Sequence, residues 1–298
     1  MNGSIRQINN TTTNVPQFLI DKIKISILPY AQSAFCPFNE IEKWNCTTCI
    51  SDSEGTTEVS TFGGTPFAAS GYTAANLNSK KLIVAFRGTS SFDTWISDLL
   101  IAKPDYDLPA APPGTKVHYG FLSLWQAVRD EVIQNVENLL GKHGTKNINI
   151  LFTGHSLGGA LATIAAADIF QHLQDRIDSS QITLITFGQP RVGNPQFASW
   201  VNSLNFTHTF RVTNQDDWTP HLPPLFSGFK HFHQDLWIAN KEGDTIQCWD
   251  DGGDESRGYG DENPATCKDR LRWKYDVRKH SSVWGEQIGF QACIPIPI

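Results

Sequence analysis

The chain has 298 residues, 40% of them hydrophobic and 18% charged, with a formal net charge of −6. Its 33 aromatic residues (9 Trp, 18 Phe, 6 Tyr) exclude a disordered chain. The negative balance argues against nucleic acid as a partner, and no apolar run reaches the ~18 residues that cross a bilayer. At ~150 residues per domain the length allows two domains or one large core.

Residues 1–14 are rich in Thr and Asn and read as a flexible extension, without the apolar stretch of a secretion signal. Sequons at Asn2, Asn9, Asn10, Asn45 and Asn205 fit an exported protein whose signal is not in this chain. From Val15 to Cys36, Phe18, Leu19, Ile23 and Ile27 recur at three- and four-residue steps, which predicts helix. The stretch from Cys36 to Gly64 reads as loop. Within it, Cys46 and Cys49 form a C-x-x-C. No helix start follows, as a redox site needs, and no second ligand pair exists, as zinc needs, so a small disulfide is expected.

Strands are expected at Phe67–Thr73, Lys81–Phe86, Ile148–Phe152, Gln181–Phe187 and Thr207–Val212. The continuous apolar run Leu82-Ile83-Val84-Ala85-Phe86 is typical of a strand covered on both faces. Helices are expected at Gly120–Leu140, Ala160–Leu173 and Asn194–Leu204, the last with Pro195 in its first turn. This alternation predicts an α/β fold with a mostly parallel central sheet covered by helices. No linker divides the run; the Pro-rich stretch 104–113 is a loop, and residues 241–298 read as irregular structure over the sheet edge. A single domain over 15–298 is expected.

The most informative segment is Phe152-Thr153-Gly154-His155-Ser156-Leu157-Gly158-Gly159-Ala160, in which a buried strand enters Gly-x-Ser-x-Gly and continues into an Ala-rich helix. That is the context of a nucleophile elbow, where Ser156 projects from a tight turn and the helix N-terminus supplies donors for an oxyanion. A serine needs a histidine base, itself oriented by a carboxylate, and on such sheets these follow in the order Ser, Asp/Glu, His. His172 and His208 fall inside elements and read as structural, and His231-Phe232-His233 lacks a third metal ligand. His280 lies in a polar turn before Trp284 and suits the base. For the acid, Asn214-Gln215-Asp216-Asp217-Trp218 follows a strand; the residues alone leave Asp216 and Asp217 equivalent.

In this order the motifs Phe86-Arg87-Gly88-Thr89, His118-Tyr119-Gly120-Phe121, Gly154–Gly159, Phe187-Gly188-Gln189-Pro190-Arg191-Val192-Gly193-Asn194, Asn214–Pro224 and His280–Gly285 resemble the secreted fungal class 3 lipases, a family that also contains feruloyl esterases. The resemblance spans roughly residues 15–294 and implies an α/β-hydrolase fold. It implies Asp217 as the acid and His280 as the base. Thr89 and Leu157 become the oxyanion donors, with Asp98 orienting the Thr89 hydroxyl and His155 lining the acyl site. It also implies disulfides Cys36–Cys293, Cys46–Cys49 and Cys248–Cys267, and neither cofactor nor metal.

Residues 90–102 carry Phe92, Trp95, Ile96 and Leu99 at helical spacing, followed by Leu100. The spacing alone fits a surface helix; the resemblance makes it a lid that rolls back at oil. The expected protein is a secreted, extracellular monomer that hydrolyses acylglycerols or other lipid esters at a lipid–water interface through an acyl-enzyme on Ser156. A feruloyl-type or short-chain carboxylesterase is the nearest alternative, and an inactive lipid-surface-binding protein the alternative of another class.

Overall fold

The structure, a computed structural model, describes residues 13–49, 53–65, 69–89, 106–107, 111–232, 234–248 and 276–293. The expected lid at 90–102, with Phe92, Trp95, Ile96, Asp98, Leu99 and Leu100, lies outside them, as do Cys267 and His233.

Its centre is one sheet of nine strands: β1 (Thr13–Asn14), β2 (Thr56–Phe62), β3 (Gly71–Asn76), β4 (Lys81–Phe86), β5 (Asn149–His155), β6 (Ile182–Phe187), β7 (His208–Asn214), β8 (Asp235–Ile238) and β9 (Thr245–Cys248). Their spatial order is β1-β9-β8-β7-β6-β5-β4-β3-β2. From β4 to β8 all neighbours are parallel, while β2, β3, β9 and β1 add antiparallel edges. The chain therefore has the α/β-hydrolase type of mostly parallel, helix-covered sheet. β4 and β5 are apolar on both faces because helices cover both.

Among the described residues the α-helices are α1 (Gln17–Ser26), α2 (Leu28–Ser33), α3 (Phe38–Ile41), α4 (Tyr119–Gln126), α5 (Arg129–His143), α6 (Leu157–Leu173) and α7 (Pro195–Ser203). One face of the sheet packs against α4, α5, α6 and α7, with Phe121, Trp125, Val132, Val136, Leu161 and Ile164 buried there. The other face meets α1 and α2 through Ile23, Leu28 and Ala31 together with Val283 and Ile288 of the tail.

Four expectations change. The helix over Val15–Cys36 is two helices that part at Ile27, where Pro29 opens α2 and removes an amide donor. The helix over Gly120–Leu140 is likewise divided at Val128, whose φ of −123° is not helical. That break lets Trp125 Nε1 and Arg129 converge on the buried Asp168 carboxylate of α6: the indole and the guanidinium Nε both donate to Oδ2 at 2.7 Å, and Nη2 donates to Oδ1 at 2.9 Å. The loop over Cys36–Gly64 contains β2, a half-exposed edge strand. Finally, β9 lies in the stretch expected to be irregular, and it pairs with Thr13 and Asn14 of the expected flexible extension.

Two disulfides lie wholly within the described residues, Cys36–Cys293 and Cys46–Cys49, with Cα–Cα distances of 5.2 and 4.9 Å. Cys248 is also disulfide-bonded.

Candidate active site

Strand β5 ends at His155, α6 begins at Leu157, and Ser156 is the single residue that turns the chain between them. Its φ of 59° and ψ of −127° are a strained conformation for a residue with a side chain. The turn survives because it is held from every side. Ser156 N donates to Phe187 O at 2.9 Å, and Gly159 N donates back to Ser156 O at 2.9 Å. A Cβ on Gly154 would lie 2.4 Å from the Gly158 backbone, and one on Gly158 only 2.2 Å from Phe86 O. Both glycines are therefore set by close approach of β4, β5 and α6.

The expected base comes from far along the chain. His280 lies in a short 3₁₀ turn, Val277–Ser281, and its Nδ1 donates to Asp217 Oδ2 at 2.8 Å. Asp217 follows β7, and its second oxygen accepts from Thr219 N at 2.9 Å. Ser156, Asp217 and His280 are all buried, at 4%, 3% and 6% exposure. Their neighbour Asp216 is half-buried and takes a different part: its carbonyl accepts from Asp276 N at 3.2 Å, at the start of the His280 turn. Asp217 is the residue whose carboxylate bonds the His280 ring.

Thr89 stands just past β4, two residues after Arg87, whose amide donates to Ser70 O. Gly88, beside it, runs against the elbow, since a Cβ there would lie 2.8 Å from His155 O and 3.3 Å from Ser156 Cβ. Thr89 thus follows a glycine packed against Ser156, and Leu157 opens α6 on the other side of that serine.

His155 is placed against the base. Its ring lies 4.4 Å from that of His280 and 5.8 Å from Phe35, and its Nε2 donates to His280 O at 2.7 Å. Burial, reinforced by the neighbouring His280, pushes the His155 imidazole well below the usual histidine range, so the ring is neutral.

Three further residues bear on the site without having been given a role from sequence. Gly188, just past β6 with φ +54°, leaves room for the His280–Asp217 pair. Arg191, 1% exposed, donates from Nη1 to His221 O at 2.5 Å and Pro223 O at 2.6 Å, which fastens the turn after the acid. Asn214, the last residue of β7, reaches across to the His280 turn through its amide. A signal was present only for position: all three sit in the quoted motifs. His231 is buried, with Nε2 donating to Pro220 O at 2.7 Å. Among the described residues no group of His, Cys, Asp and Glu could hold a metal ion.

Comparison with known proteins gives this geometry a lineage. The family described as Lipase (class 3) matches residues 83–227, which hold the elbow and Asp217. A lipase of Rhizomucor miehei is 35% identical over 206 residues, 68% of this chain and 54% of the relative. The chain belongs to the class 3 lipase family. A secreted mono- and diacylglycerol lipase of Fusarium solani is 34% identical over 220 residues, 71% of this chain and 61% of the relative. The solved triacylglyceride lipase of Rhizomucor miehei superposes with a TM-score of 0.80 at 28% identity, covering 94% of this class 3 chain and 99% of that one. A lipase structure from Rhizopus microsporus var. chinensis gives 0.81 at 26% identity, covering 97% and 95%. By sequence, the chain spans about half the length of the Rhizomucor and Rhizopus relatives it matches.

Proposed function

We propose that this class 3 lipase chain is an extracellular serine hydrolase that cleaves the ester bonds of acylglycerols. The observation that carries the reading is a strained serine at the β5–α6 turn whose chain neighbour His155 lies against a buried imidazole–carboxylate pair 2.8 Å apart. Ser156 Oγ attacks the ester carbonyl while His280 Nε2 takes its proton; Asp217, bonded at Nδ1, fixes the tautomer and stabilises the imidazolium that forms. The carbonyl oxygen becomes an oxyanion facing the Leu157 and Thr89 amides. Collapse breaks the ester C–O bond, the leaving alcohol takes the proton from His280, and water then hydrolyses the acyl-Ser156 ester by the same proton route.

The substrate class rests on the named relatives, a lipase and a secreted mono- and diacylglycerol lipase, and on exposed apolar side chains in the segment that follows Asp217. Leu225 and Phe226, the latter 79% exposed, stand on the turn after Pro223-Pro224, downstream of the acid. Large exposed apolar side chains of this kind favour contact with a lipid–water interface. A lid over residues 90–102 belongs to the same proposal, with Trp95 and Ile96 meeting lipid and Asp98 orienting Thr89.

The test is hydrolysis of p-nitrophenyl butyrate and of emulsified tri-, di- and monoacylglycerols by the wild type and Ser156→Ala. Loss of about 10⁶-fold in kcat is expected for the variant. Retained turnover would overturn the nucleophile assignment. A preference for methyl ferulate over every acylglycerol would replace the lipid-ester reading by the feruloyl esterase one.

A further inference from the structure

The turn that carries His280 is only five residues long, Val277–Ser281. Two of its backbone carbonyls, and that of Ser282 just after it, accept from two buried side chains. Asn214 Nδ2 donates to Lys279 O at 3.0 Å and to Ser282 O at 2.7 Å, and His155 Nε2 donates to His280 O at 2.7 Å. The two donors have telling positions in the chain. His155 immediately precedes the nucleophile, on the last position of β5. Asn214 ends β7, and its own carbonyl accepts from Asp217 N at 2.9 Å.

We propose that His155 and Asn214 are positioning residues, which tie the base-bearing turn to the nucleophile and to the acid respectively. The inference rests on the triad reading above. Fixing the carbonyls of residues 279, 280 and 282 fixes the backbone dihedrals around His280, and hence the direction of its Cα–Cβ bond. The Asp217 bond then needs to set only the rotation of the ring. The separation of base from nucleophile is thereby carried by a residue covalently attached to the nucleophile, and the separation of base from acid by a residue hydrogen-bonded to the acid's amide. The His155 ring also lies against the His280 ring and is backed by Phe35, which in turn meets Phe290 at 5.1 Å. With Nε2 donating, the buried Nδ1 of His155 carries no hydrogen and has no hydrogen-bond partner. The ring is thus a neutral wall beside an imidazole that becomes charged during the reaction.

The test compares His155→Phe, which keeps the ring and removes the donor, with His155→Gln, which keeps a donor of similar reach. Asn214→Asp, isosteric with an acceptor in place of the donor, probes the second tie. Initial rates on p-nitrophenyl butyrate are normalised to folded protein by near-ultraviolet circular dichroism and read well below each variant's own melting temperature. We expect kcat to fall about 10- to 100-fold in His155→Phe and in Asn214→Asp with KM within about twofold, because misplacement of a catalytic group by a fraction of an ångström acts on the chemical step. His155→Gln should recover at least about fivefold over His155→Phe by the same reasoning. If Asn214→Asp yields no folded protein, Asn214→Ser is read in its place with the same expected fall. Variants that melt earlier yet retain wild-type kcat per folded molecule would show a merely structural role and overturn the proposal. The triad reading fails separately, through retained turnover by Ser156→Ala.

Discussion

Gly188→Ala isolates the His280–Asp217 pair without touching either residue. Gly188 has φ +54°, a left-handed conformation that costs an alanine about 1–2 kcal/mol. The new Cβ would stand 3.0 Å from both Nδ1 and Cε1 of His280 and 3.1 Å from Asp217 Oδ2. Ordinary contact is nearer 3.4–4 Å, so the ring and carboxylate must retreat by about half an ångström, and such overpacking costs about 1–3 kcal/mol more. Part of this total is offset, by about 0.4–1 kcal/mol, because alanine restricts the unfolded chain. The net destabilisation is about 1–5 kcal/mol, a fall in melting temperature of roughly 2–7 °C for a chain of this size. The displacement is borne by the proton-transferring pair itself, so kcat on a soluble ester should fall about tenfold while KM holds. The assay is p-nitrophenyl butyrate hydrolysis per mole of folded enzyme, beside a thermal melt. A variant that melts several degrees lower with undiminished kcat would refute the reasoning, because the pair would then tolerate displacement.

Three further outcomes follow from the same geometry. His155 and His231 are both held neutral by burial, with pKa values well below the ordinary 6.5; the unfolded chain takes up protons that the folded one refuses, so their contribution is intact above pH 6.5 and lost as pH falls towards the folded values, at up to about 1.4 kcal/mol per pH unit for each. Urea titrations between pH 7.5 and 5 should show this loss, and a stability independent of pH over that window would contradict it. The double variant Cys36→Ser/Cys293→Ser opens a loop of 257 residues and should lose about 5.5 kcal/mol in the chain-entropy account, measured by urea unfolding. Asn45 and Asn205 are both exposed, so an extracellular protein from a glycosylating host should lose mass on amidase treatment, less so in Asn205→Gln.

The sheet's centre was legible because β4 holds an unbroken apolar run and β5 and β6 are rich in apolar residues, with helical periods between them, as burial on both faces requires. Its edges were not. β2 is Thr56-Thr57-Glu58-Val59-Ser60-Thr61-Phe62, mostly polar because one edge faces water, and β9 is four residues that acquire meaning only by pairing with β8 and β1. The divided helices were hidden for a different reason: Val128 faces the core in either arrangement, so the apolar period runs through the break. In the site, Ser156 announces itself because a strained turn demands glycine at fixed offsets on both sides. Asp216 and Asp217 differ by one step along a loop, and only the register of that loop against the His280 turn separates them. Gly188, Arg191 and Asn214 act through a φ angle, a pair of carbonyls and a cross-chain amide, none of which leaves a compositional trace.

The fastening of the His280 segment has a consequence for the order in which activity can arise. His155 and His280 are 125 residues apart, and the elbow can be built from β4, β5, β6 and α6 long before the base is synthesised. The base-bearing segment then closes onto α1 and α2 through Lys24–Glu286, the Gln32 amide on Gln287 O, and Cys36–Cys293. A nascent chain therefore carries the Ser156 elbow before the His280 turn is made. The Cys36–Cys293 bond, which closes that segment onto the N-terminal helices, forms by oxidation. The elbow and the segment that carries His280 are thus separate assemblies, which meet only once residues 276–293 dock on α1 and α2.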